Sequence, residues 1–440
     1  MDIQIINFIT KIPLKVASLS VFTSFKENVF IKYISQIVMS CNNYTNCKEL
    51  VSQKIIEVIN LYTLAFNYLN KTEFCGNLAD YIFDYTLYDE NFVLEQSSKN
   101  NYLTLSSSTK DAFSKDIEFL NEIAYLSSQS MKEFIKIKIL SVDTTEDIEE
   151  ILQVIQELPS WENNHKKFKI NNKNWSCQSI SIAENAKKNG VGIFAKHSVF
   201  TVGDDGNIYP VENYCFKPLE TISGYEKERE KLIINTKAFC ESKKFNNVLL
   251  YGDRGTGKST AVKSVFSEFR CKNLKLIEIS KSNLCFFRKI IKQLSKQNNK
   301  FIIFIDDLSF TESDESFFQL KVFLEGGVIE PPENIVVYAT TNRIHLIKES
   351  TISRQGDEIH RADTIDETLS LSERFGIIIT YLAPDKIKFI SLIIQMAKER
   401  KLVMPEELII KEAEKWALLK GSRSLRCAKQ CLDFLESQSY

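Results

Sequence analysis

The chain has 440 residues, of which 44% are hydrophobic and 26% are charged, and its formal net charge is −1. This length is too great for one ordinary hydrophobic core, and the composition is that of a soluble globular protein, so we expect two or three domains. No apolar run is long enough for a membrane helix, and the start of the chain lacks the features of a signal peptide. The sequence therefore predicts a cytoplasmic protein with no membrane partner.

Charge is unevenly divided along the chain. Residues 1–220 contain 21 Lys, no Arg and 27 Asp and Glu, which gives −6, and the remainder contains 35 Lys and Arg and 30 Asp and Glu, which gives +5. Arg is the side chain best suited to bidentate phosphate contacts, so a front half without Arg argues against a nucleic-acid module there. Lysine clusters such as Lys166 and Lys167 leave nucleic acid open as a partner, although it is not favoured.

Disulfide and metal-cluster chemistry are not indicated. The ten Cys include no C-x-x-C pair, and the four His stand apart without the spacing of metal ligands. We expect reduced, half-buried thiols, as in a cytoplasmic chain.

Residues 1–160 predict a mainly helical domain. Apolar residues recur at three- and four-residue spacing in 28–40, 49–70 and 111–140, which is the period of one helix face. The segment 145–158 has acidic residues early and stops before a proline, as a capped helix does.

Residues 161–218 are expected to connect this helical domain to the next one, because their first half is polar and rich in Lys and Asn. Two short apolar runs, 197–202 and 207–211, flank the sequence GDDG and predict a β-hairpin. We interpret the two aspartates of GDDG as turn residues rather than as a catalytic pair.

Strands and helices alternate from residue 219, and this alternation predicts a parallel sheet covered by helices on both faces. After Pro384 the pattern is helical to the end. We therefore expect a three-layer α/β/α core at 219–383 and a small helical domain at 384–440. The predicted strands are 248–251, 274–279, 301–305, 335–339 and 375–382, and the predicted C-terminal helices are 386–400, 406–419 and 424–436.

One stretch, NNVLLYGDRGTGKSTAVKS at 246–264, carries the strongest chemical signal. A buried-strand pattern ends at GDRGTGKS, which fits G-x-x-x-x-G-K-[ST] and opens a predicted helix. Glycines let the amides of such a loop point at phosphate oxygens, with the positive end of the helix behind them. Lys258 is placed to reach the β- and γ-phosphates, and Ser259 to bind Mg²⁺. The predicted nucleotide contacts in this loop are Gly252, Asp253, Arg254, Gly255, Thr256, Gly257, Lys258, Ser259 and Thr260.

Two aspartates follow the predicted strand 301–305. Asp306 comes directly after the strand, where a carboxylate at the sheet edge can reach Mg²⁺ beside Ser259. Its neighbour Asp307 is a candidate for the group that polarises an attacking water. The pair therefore predicts a magnesium site at Ser259 and Asp306 and a catalytic role for Asp307.

Several motifs in this order resemble those of AAA+ ATPases. The phosphate loop GDRGTGKST is followed by FIIFIDD, VVYATTN, SLSERFG and GSRSLR. More narrowly, GYEKE, LKVFLEGG and YATTNRIHL are similar to one family of bacterial ATP-binding proteins, which is catalogued as a domain of unknown function. The resemblance is close over roughly the C-terminal half. It implies a P-loop NTPase core with a small C-terminal helical lid, and a mainly helical N-terminal domain ending in a β-hairpin precedes that core.

The resemblance also implies roles for single residues. Asn342 would be sensor 1 and would hold the attacking water or the γ-phosphate. Arg374 would be the arginine finger that reaches the nucleotide of a neighbouring subunit, because a guanidinium stays charged. Sensor 2 in the lid stays open between Arg426, which fits the usual pattern best, and Arg423.

Adenine would lie against a lead-in segment around Ile222, Gly224 and Tyr225, with the lid helices behind it. One departure from the family pattern is Asp307, where most AAA+ proteins have Glu. Because Asp is one methylene shorter, we expect weak water activation or help from a neighbouring group. Slow hydrolysis and switch-like nucleotide binding both stay open.

The expected function is Mg²⁺-dependent ATP hydrolysis coupled to the remodelling of a macromolecular client held by the N-terminal domain. Because Arg374 would act on a neighbour, we expect a homo-oligomer in the nucleotide-bound state. Two alternatives are kept. One is a DNA-associated loader or motor, and the other is a non-hydrolysing nucleotide switch.

Overall fold

The computed structural model describes residues 3–42, 48–141, 148–168, 175–309, 315–325, 331–342 and 373–438. Contacts divide the chain into two compact units, Met1–Lys196 and His197–Tyr440. The start of the helix expected at 145–158 lies outside the described residues. Within the described ranges, no helix is both long and apolar enough to cross a membrane.

Helices make up the first unit where the structure describes it, as the sequence predicted. Buried aliphatic and aromatic side chains from these helices form one core. The helices are α1 (Ile3–Ser18), α2 (Val29–Asn42), α3 (Lys48–Lys71), α4 (Leu78–Tyr88), α5 (Phe92–Lys99), α6 (Ser107–Ala124), α7 (Ser128–Leu140), α8 (Ile148–Glu157), α9 (Ser179–Asn189) and α10 (Gly192–Lys196).

The helical stretch expected at 111–140 is divided between two helices, α6 and α7, in the structure. Ser127 precedes α7, and its hydroxyl accepts a hydrogen bond from the Ser130 N–H at 3.0 Å. Ser106 caps α6 in the same way, on the N–H of Thr109. A serine cap satisfies an amide that has no partner within the first turn, so each helix starts at its serine.

Two tryptophans show where the first unit ends. Trp161 packs against Phe30 and Tyr62, with ring centroids 5.7 and 5.1 Å apart, and Trp175 is fully buried ahead of α9. Both belong to the core of the first unit. The sequence predicted a connecting region at 161–218, but the first unit extends to Lys196. The reason is that two large aromatic side chains in this polar stretch pack into the core of that unit.

The second unit contains a seven-stranded sheet in the order β2-β1-β4-β5-β6-β3-β7. Its neighbouring strands are parallel, apart from the antiparallel pair β1 and β2. The inner strands are apolar along nearly their whole length, as expected for a sheet with both faces covered. The strands are β1 (Val199–Val202), β2 (Ile208–Pro210), β3 (Val248–Gly252), β4 (Leu274–Ile279), β5 (Lys300–Ile305), β6 (Ile335–Thr341) and β7 (Ile377–Tyr381).

The predicted hairpin is present, and it extends this sheet. Phe200 of β1 lies opposite Pro210 of β2 and opposite Ile277 of β4. Phe200 is fully buried, and residues 199–201 of β1 pair with β4 through the backbone. The hairpin therefore belongs to the second unit rather than to a connecting region.

Helices cover the sheet and also form a separate C-terminal lid. Helices α11 and α12 share a core with the central strands, and the lid helices have a core of their own around Phe389, Ile393 and Leu432. This arrangement confirms the predicted α/β fold with a helical lid. The helices are α11 (Glu226–Cys240), α12 (Lys258–Phe269), α13 (Phe287–Leu294), α14 (Glu315–Glu325), α15 (Lys386–Glu399), α16 (Glu406–Lys420) and α17 (Leu425–Gln438).

Candidate functional site

Three neighbouring strands bring predicted site residues to one edge of the sheet. Strand β6 lies between β5 and β3, and Ala339 in β6 is opposite both Ile305 and Leu249. Because the three strands are parallel, their carboxyl ends meet. The phosphate loop after β3, the aspartates after β5 and Asn342 after β6 therefore lie close together.

Two glycines let the phosphate loop form. Gly252 ends β3 with φ of 140°, and a Cβ there would lie 2.0 Å from the carbonyl oxygen of Tyr381. Gly255 has φ of 77°, and a Cβ there would press on Ser424 in the lid. Other residues would meet both steric contact and backbone strain at these positions.

Two other loop residues, Asp253 and Thr256, are held by hydrogen bonds. The N–H of Asp253 donates to the Tyr381 carbonyl at 2.9 Å, and its carboxylate accepts from the Ala383 N–H at 2.7 Å. Thr256 is buried, and its hydroxyl donates to the Asp253 carbonyl. The loop is thus fixed to the end of β7. Asp253 is nevertheless exposed, as are Arg254 and Thr260.

Lys258 fills the centre of the loop. Its Nζ donates to the carbonyl oxygens of Gly252 and Asp253 and to Oδ1 of Asn342, each at 2.8 Å. Only 6% of the residue is exposed. Burial lowers the pKa of Lys258, and the nearby carboxylate of Asp253 offsets part of that shift. The Lys258 side chain is thus enclosed by oxygen acceptors at the centre of the loop.

Ser259 and Asp306 meet beside this ammonium group. The Ser259 hydroxyl donates to Asp306 Oδ1 at 2.6 Å. A hydroxyl and a carboxylate are hard oxygen donors, which Mg²⁺ prefers, and here they come from two different elements at one point. The residues present fit a magnesium ion.

Asp307 and Asn342 form a further contact of the candidate site. The side-chain amide of Asn342 donates to Asp307 Oδ1 at 2.7 Å, while its oxygen accepts from Lys258. Asp307 has φ of 52°, a left-handed conformation that is uncommon for a residue with a Cβ. Asn342 thus links the lysine of the loop to the second aspartate.

Thr340 is a member of this network that the sequence reasoning missed. Its hydroxyl donates to Asp306 Oδ1 at 2.5 Å and accepts from the Asp307 N–H at 2.9 Å. A signal was present in the sequence YATTN, because a hydroxyl two residues before Asn342 falls beside the end of the neighbouring strand. Strand periodicity alone assigns that position to the core.

The lead-in segment packs on the end of β7 and on the lid. The Tyr225 ring lies 5.0 Å from that of Tyr381, and its hydroxyl donates to the Leu382 carbonyl at 2.6 Å. Burial raises the pKa of Tyr225 to about 12. A Cβ at Gly224 would contact Leu392 of α15. Ile222, which precedes them, is half-buried.

The two candidate lid arginines lie in different surroundings. The backbone N–H of Arg426 donates to the Gly255 carbonyl at 3.1 Å, and its side chain is exposed. Arg423 instead has its Nε 3.7 Å from Oε1 of Glu414 in α16. Of the two, Arg426 contacts the phosphate loop.

Arg374 lies at the opposite end of β7 from the loop. It precedes the strand, while Tyr381 at the far end is paired with Gly252. The strand alone rises about 13 Å between these ends. The structure therefore does not bring Arg374 together with the other predicted site residues of its own chain.

The sequence of the second unit matches a family model. The model described as "Protein of unknown function (DUF815)" matches residues 195–439, which include the whole sheet, the phosphate loop and the lid. The chain belongs to this family. The resemblance to a family catalogued as a domain of unknown function is thus confirmed, and the second unit of the chain has the mostly parallel α/β sheet with a helical lid that the motifs implied. A search of curated proteins found no match.

Solved structures resemble part of the fold at low identity. The Thermotoga maritima RuvB Holliday junction branch migration motor shares 15% identity, over 50% of this chain and 72% of its own, with a TM-score of 0.30. The Aeropyrum pernix ORC1 protein in complex with DNA shares 15%, over 47% and 58%, with a TM-score of 0.34. The Aeropyrum pernix ORC2 protein shares 14%, over 51% and 70%, with a TM-score of 0.33. Likenesses at this level carry no information on activity or partners.

Proposed function

We propose that this protein binds ATP at the phosphate loop and hydrolyses it with Mg²⁺. The observation that carries the proposal is one continuous hydrogen-bond network at the carboxyl edge of the sheet. It runs from Lys258 through Asn342 to Asp307, and a second branch joins Ser259 to Asp306. Ammonium, amide, hydroxyl and carboxylate groups meet there at the mouth of a glycine loop, which is the set that phosphoryl transfer requires.

Nucleotide binding would use the loop and the lid together. The amides after Gly252 and the start of α12 favour phosphate oxygens, and Lys258 would exchange its loop carbonyls for them. Adenine would lie between the lead-in segment of Ile222, Gly224 and Tyr225 and the lid. We assign sensor 2 to Arg426, because its backbone lies on the loop.

Ser259 and Asp306 would hold the magnesium ion, which when bound neutralises charge on the β- and γ-phosphates. Asp307 would accept the proton of the attacking water, and Asn342 would hold Asp307 and that water in place. A general base must lie within hydrogen-bond reach of its proton, and the shorter Asp relies on its partner to stay in position. We expect slow turnover for this reason.

Assembly would complete the site. Arg374 lies at the far end of β7 from its own loop, so we propose that it serves the nucleotide of a neighbouring subunit. In a homo-oligomer, ATP turnover would then move the lid and the neighbour. A macromolecular client would be held by the helical region preceding the sheet.

The test of the proposal is ATP binding by Lys258→Ala, measured by calorimetry on the folded variant. Affinity should fall about ten- to a hundredfold, the loss expected for one or two charge-assisted hydrogen bonds. Lys263→Ala is the matched control, because Lys263 lies on the same helix but pairs with Glu278 at 3.0 Å. Equal ATP affinity of Lys258→Ala and the parent would refute the loop assignment.

A nucleotide switch is the second candidate. The observation that favours it is the carboxylate of Asp307, which is one methylene shorter than Glu and already bonded to Asn342. A switch would bind ATP with the same dependence on Lys258 and release no phosphate. Measured phosphate release from the parent protein separates the two functions.

A further inference from the structure

Thr340 stands at the junction of the two aspartates. It lies in β6 opposite Leu250 of β3, and its neighbour Ala339 is opposite Ile305, the last residue of β5. Asp306 therefore emerges directly beside Thr340. The residue is only 1% exposed, and a buried hydroxyl is expected to find hydrogen-bond partners within the protein.

Three hydrogen bonds connect Thr340 to the acidic turn. The hydroxyl donates to Asp306 Oδ1 at 2.5 Å and accepts from the Asp307 N–H at 2.9 Å. The Thr340 carbonyl accepts from the Leu308 N–H at 2.7 Å. A hydroxyl has one donor and two acceptor sites, so Thr340 can bridge both aspartates at once.

These bonds account for the unusual backbone of Asp307. A φ of 52° is disfavoured for an L-residue unless surrounding contacts hold it. The N–H groups of Asp307 and Leu308 are both held by Thr340, on either side of that torsion. In this conformation the Asp307 carboxylate points to the amide of Asn342 rather than away from it.

We propose that Thr340 is a positioning residue that sets both acidic groups of the site. It orients the Asp306 carboxylate toward Ser259, and it holds the turn that brings Asp307 to Asn342. Its effect on metal binding and turnover rests on the proposed ATPase function. Its effect on the geometry of the turn does not.

The functional test compares Thr340→Val, which removes the hydroxyl at nearly constant shape, with Thr340→Ser, which keeps it. With Thr340→Val, the Mg²⁺ concentration for half-maximal turnover should rise about tenfold and kcat should fall about tenfold, as for other residues that orient metal ligands. ATP affinity measured in EDTA should stay at the parent value. Thr340→Ser should match the parent on all three.

The matched control is Thr236→Val. Thr236 is also fully buried, and its hydroxyl donates to the Leu232 carbonyl and contacts the Tyr338 hydroxyl, both at 2.8 Å, within the core. Losing that hydroxyl should lower thermal stability without changing the Mg²⁺ requirement. If Thr340→Val does not fold, Thr340→Ala provides a second variant without the hydroxyl.

A structural readout separates this inference from the proposed function. In crystals without nucleotide, Thr340→Val should lose the left-handed torsion of Asp307 or its bond to Asn342, and Thr340→Ser should keep both. If the parent protein does not bind ATP, the proposed function is refuted. The comparison of the acidic turn in Thr340→Val and Thr340→Ser crystals still tests this inference. An unchanged acidic turn in Thr340→Val would overturn the inference, as would an unchanged Mg²⁺ requirement in an active enzyme.

Discussion

Asp80 in the helical unit and the acidic pair at the sheet edge use their carboxylates differently. Asp80 Oδ2 accepts from the backbone N–H groups of Lys166 and Lys167 at 2.9 and 2.8 Å, and its Oδ1 lies 3.0 Å from His165 Nδ1. Its side chain is 3% exposed. These bonds join α4 to a distant segment of the same unit, so Asp80 stabilises the fold.

The carboxylates of Asp306 and Asp307 instead meet side chains at an exposed edge. Their partners are the hydroxyls of Ser259 and Thr340 and the amide of Asn342. Side-chain donors can turn toward a ligand, whereas backbone donors cannot leave without unfolding. A buried or exposed carboxylate alone therefore does not mark a candidate site. Side-chain donors around it indicate a site, whereas backbone donors indicate a structural contact.

The largest effect expected from this contrast is on turnover. Asp307→Asn should reduce the rate of ATP hydrolysis about 10²- to 10⁴-fold, because the amide cannot accept the proton of water. ATP affinity and thermal stability should be unchanged. Phosphate release measures the rate, and calorimetry measures ATP affinity and thermal stability. Asp204→Asn in the hairpin turn is the control and should hydrolyse ATP at the parent rate. Undiminished hydrolysis by Asp307→Asn would place the base elsewhere.

An Arg374 variant tests whether one chain supplies every residue that the candidate site needs. Arg374→Ala should bind ATP normally and lose turnover by about 10³-fold or less, the low end for an arginine finger, because we expect Asp307 to limit the rate in the parent. Arg400→Ala is the control, since Arg400 pairs with Asp433 in the lid.

Mixing two inactive variants tests directly whether Arg374 acts across subunits. Arg374→Ala and Lys258→Ala combined should recover some activity, because an intact loop then meets an intact arginine across subunits. Activity per subunit of the parent should also rise with concentration as the protein assembles. Flat specific activity and no recovery on mixing would show that Arg374 does not act in trans.

Asp80 should show the opposite behaviour, with an effect on stability alone. Asp80→Asn should lower the free energy of unfolding at neutral pH by about 1–3 kcal/mol and leave ATP affinity unchanged. Denaturation followed by tryptophan fluorescence reports this unit through Trp161 and Trp175, in a Trp416→Phe background. Asp111→Asn, exposed on α6, is the control.

The pH dependence of that stability has a definite sign. Burial alone would raise the pKa of Asp80, but hydrogen bonds from the N–H groups of Lys167 and Lys166 and from His165 hold it below its usual value. A lowered pKa in the folded state gives stability that is present above the unfolded value near ~3.9 and lost as the pH falls through the folded value. Asp80→Asn should flatten this acid limb. An equally steep limb in the variant would assign it to other groups.

Patterns local in sequence predicted much of the sheet and the site. The glycine loop is one contiguous pattern, and the carboxyl ends of parallel strands meet, so Asp306 and Asn342 could be expected near Ser259. Strand periodicity could not single out Thr340, because all residues of β6 are buried and a threonine there fits a buried strand equally well. The left-handed backbone of Asp307 depends on contacts with another strand that no local pattern records.

Two further features depended on tertiary packing. The end of the helical unit lies beyond the expected boundary because Trp161 and Trp175 join its core from within a polar stretch. The choice between Arg426 and Arg423 rests on how the lid meets Gly255, which spacing in the sequence does not reveal.

The most direct test of the central claim is hydrogen–deuterium exchange with and without Mg²⁺ and ATP. We predict slower exchange of the amides of residues 253–259, loss of that protection in Lys258→Ala, and no change at the amides of Lys166 and Lys167, which Asp80 already holds. Unchanged exchange at 253–259 under saturating ATP would contradict the claim that this edge of the sheet is the nucleotide site.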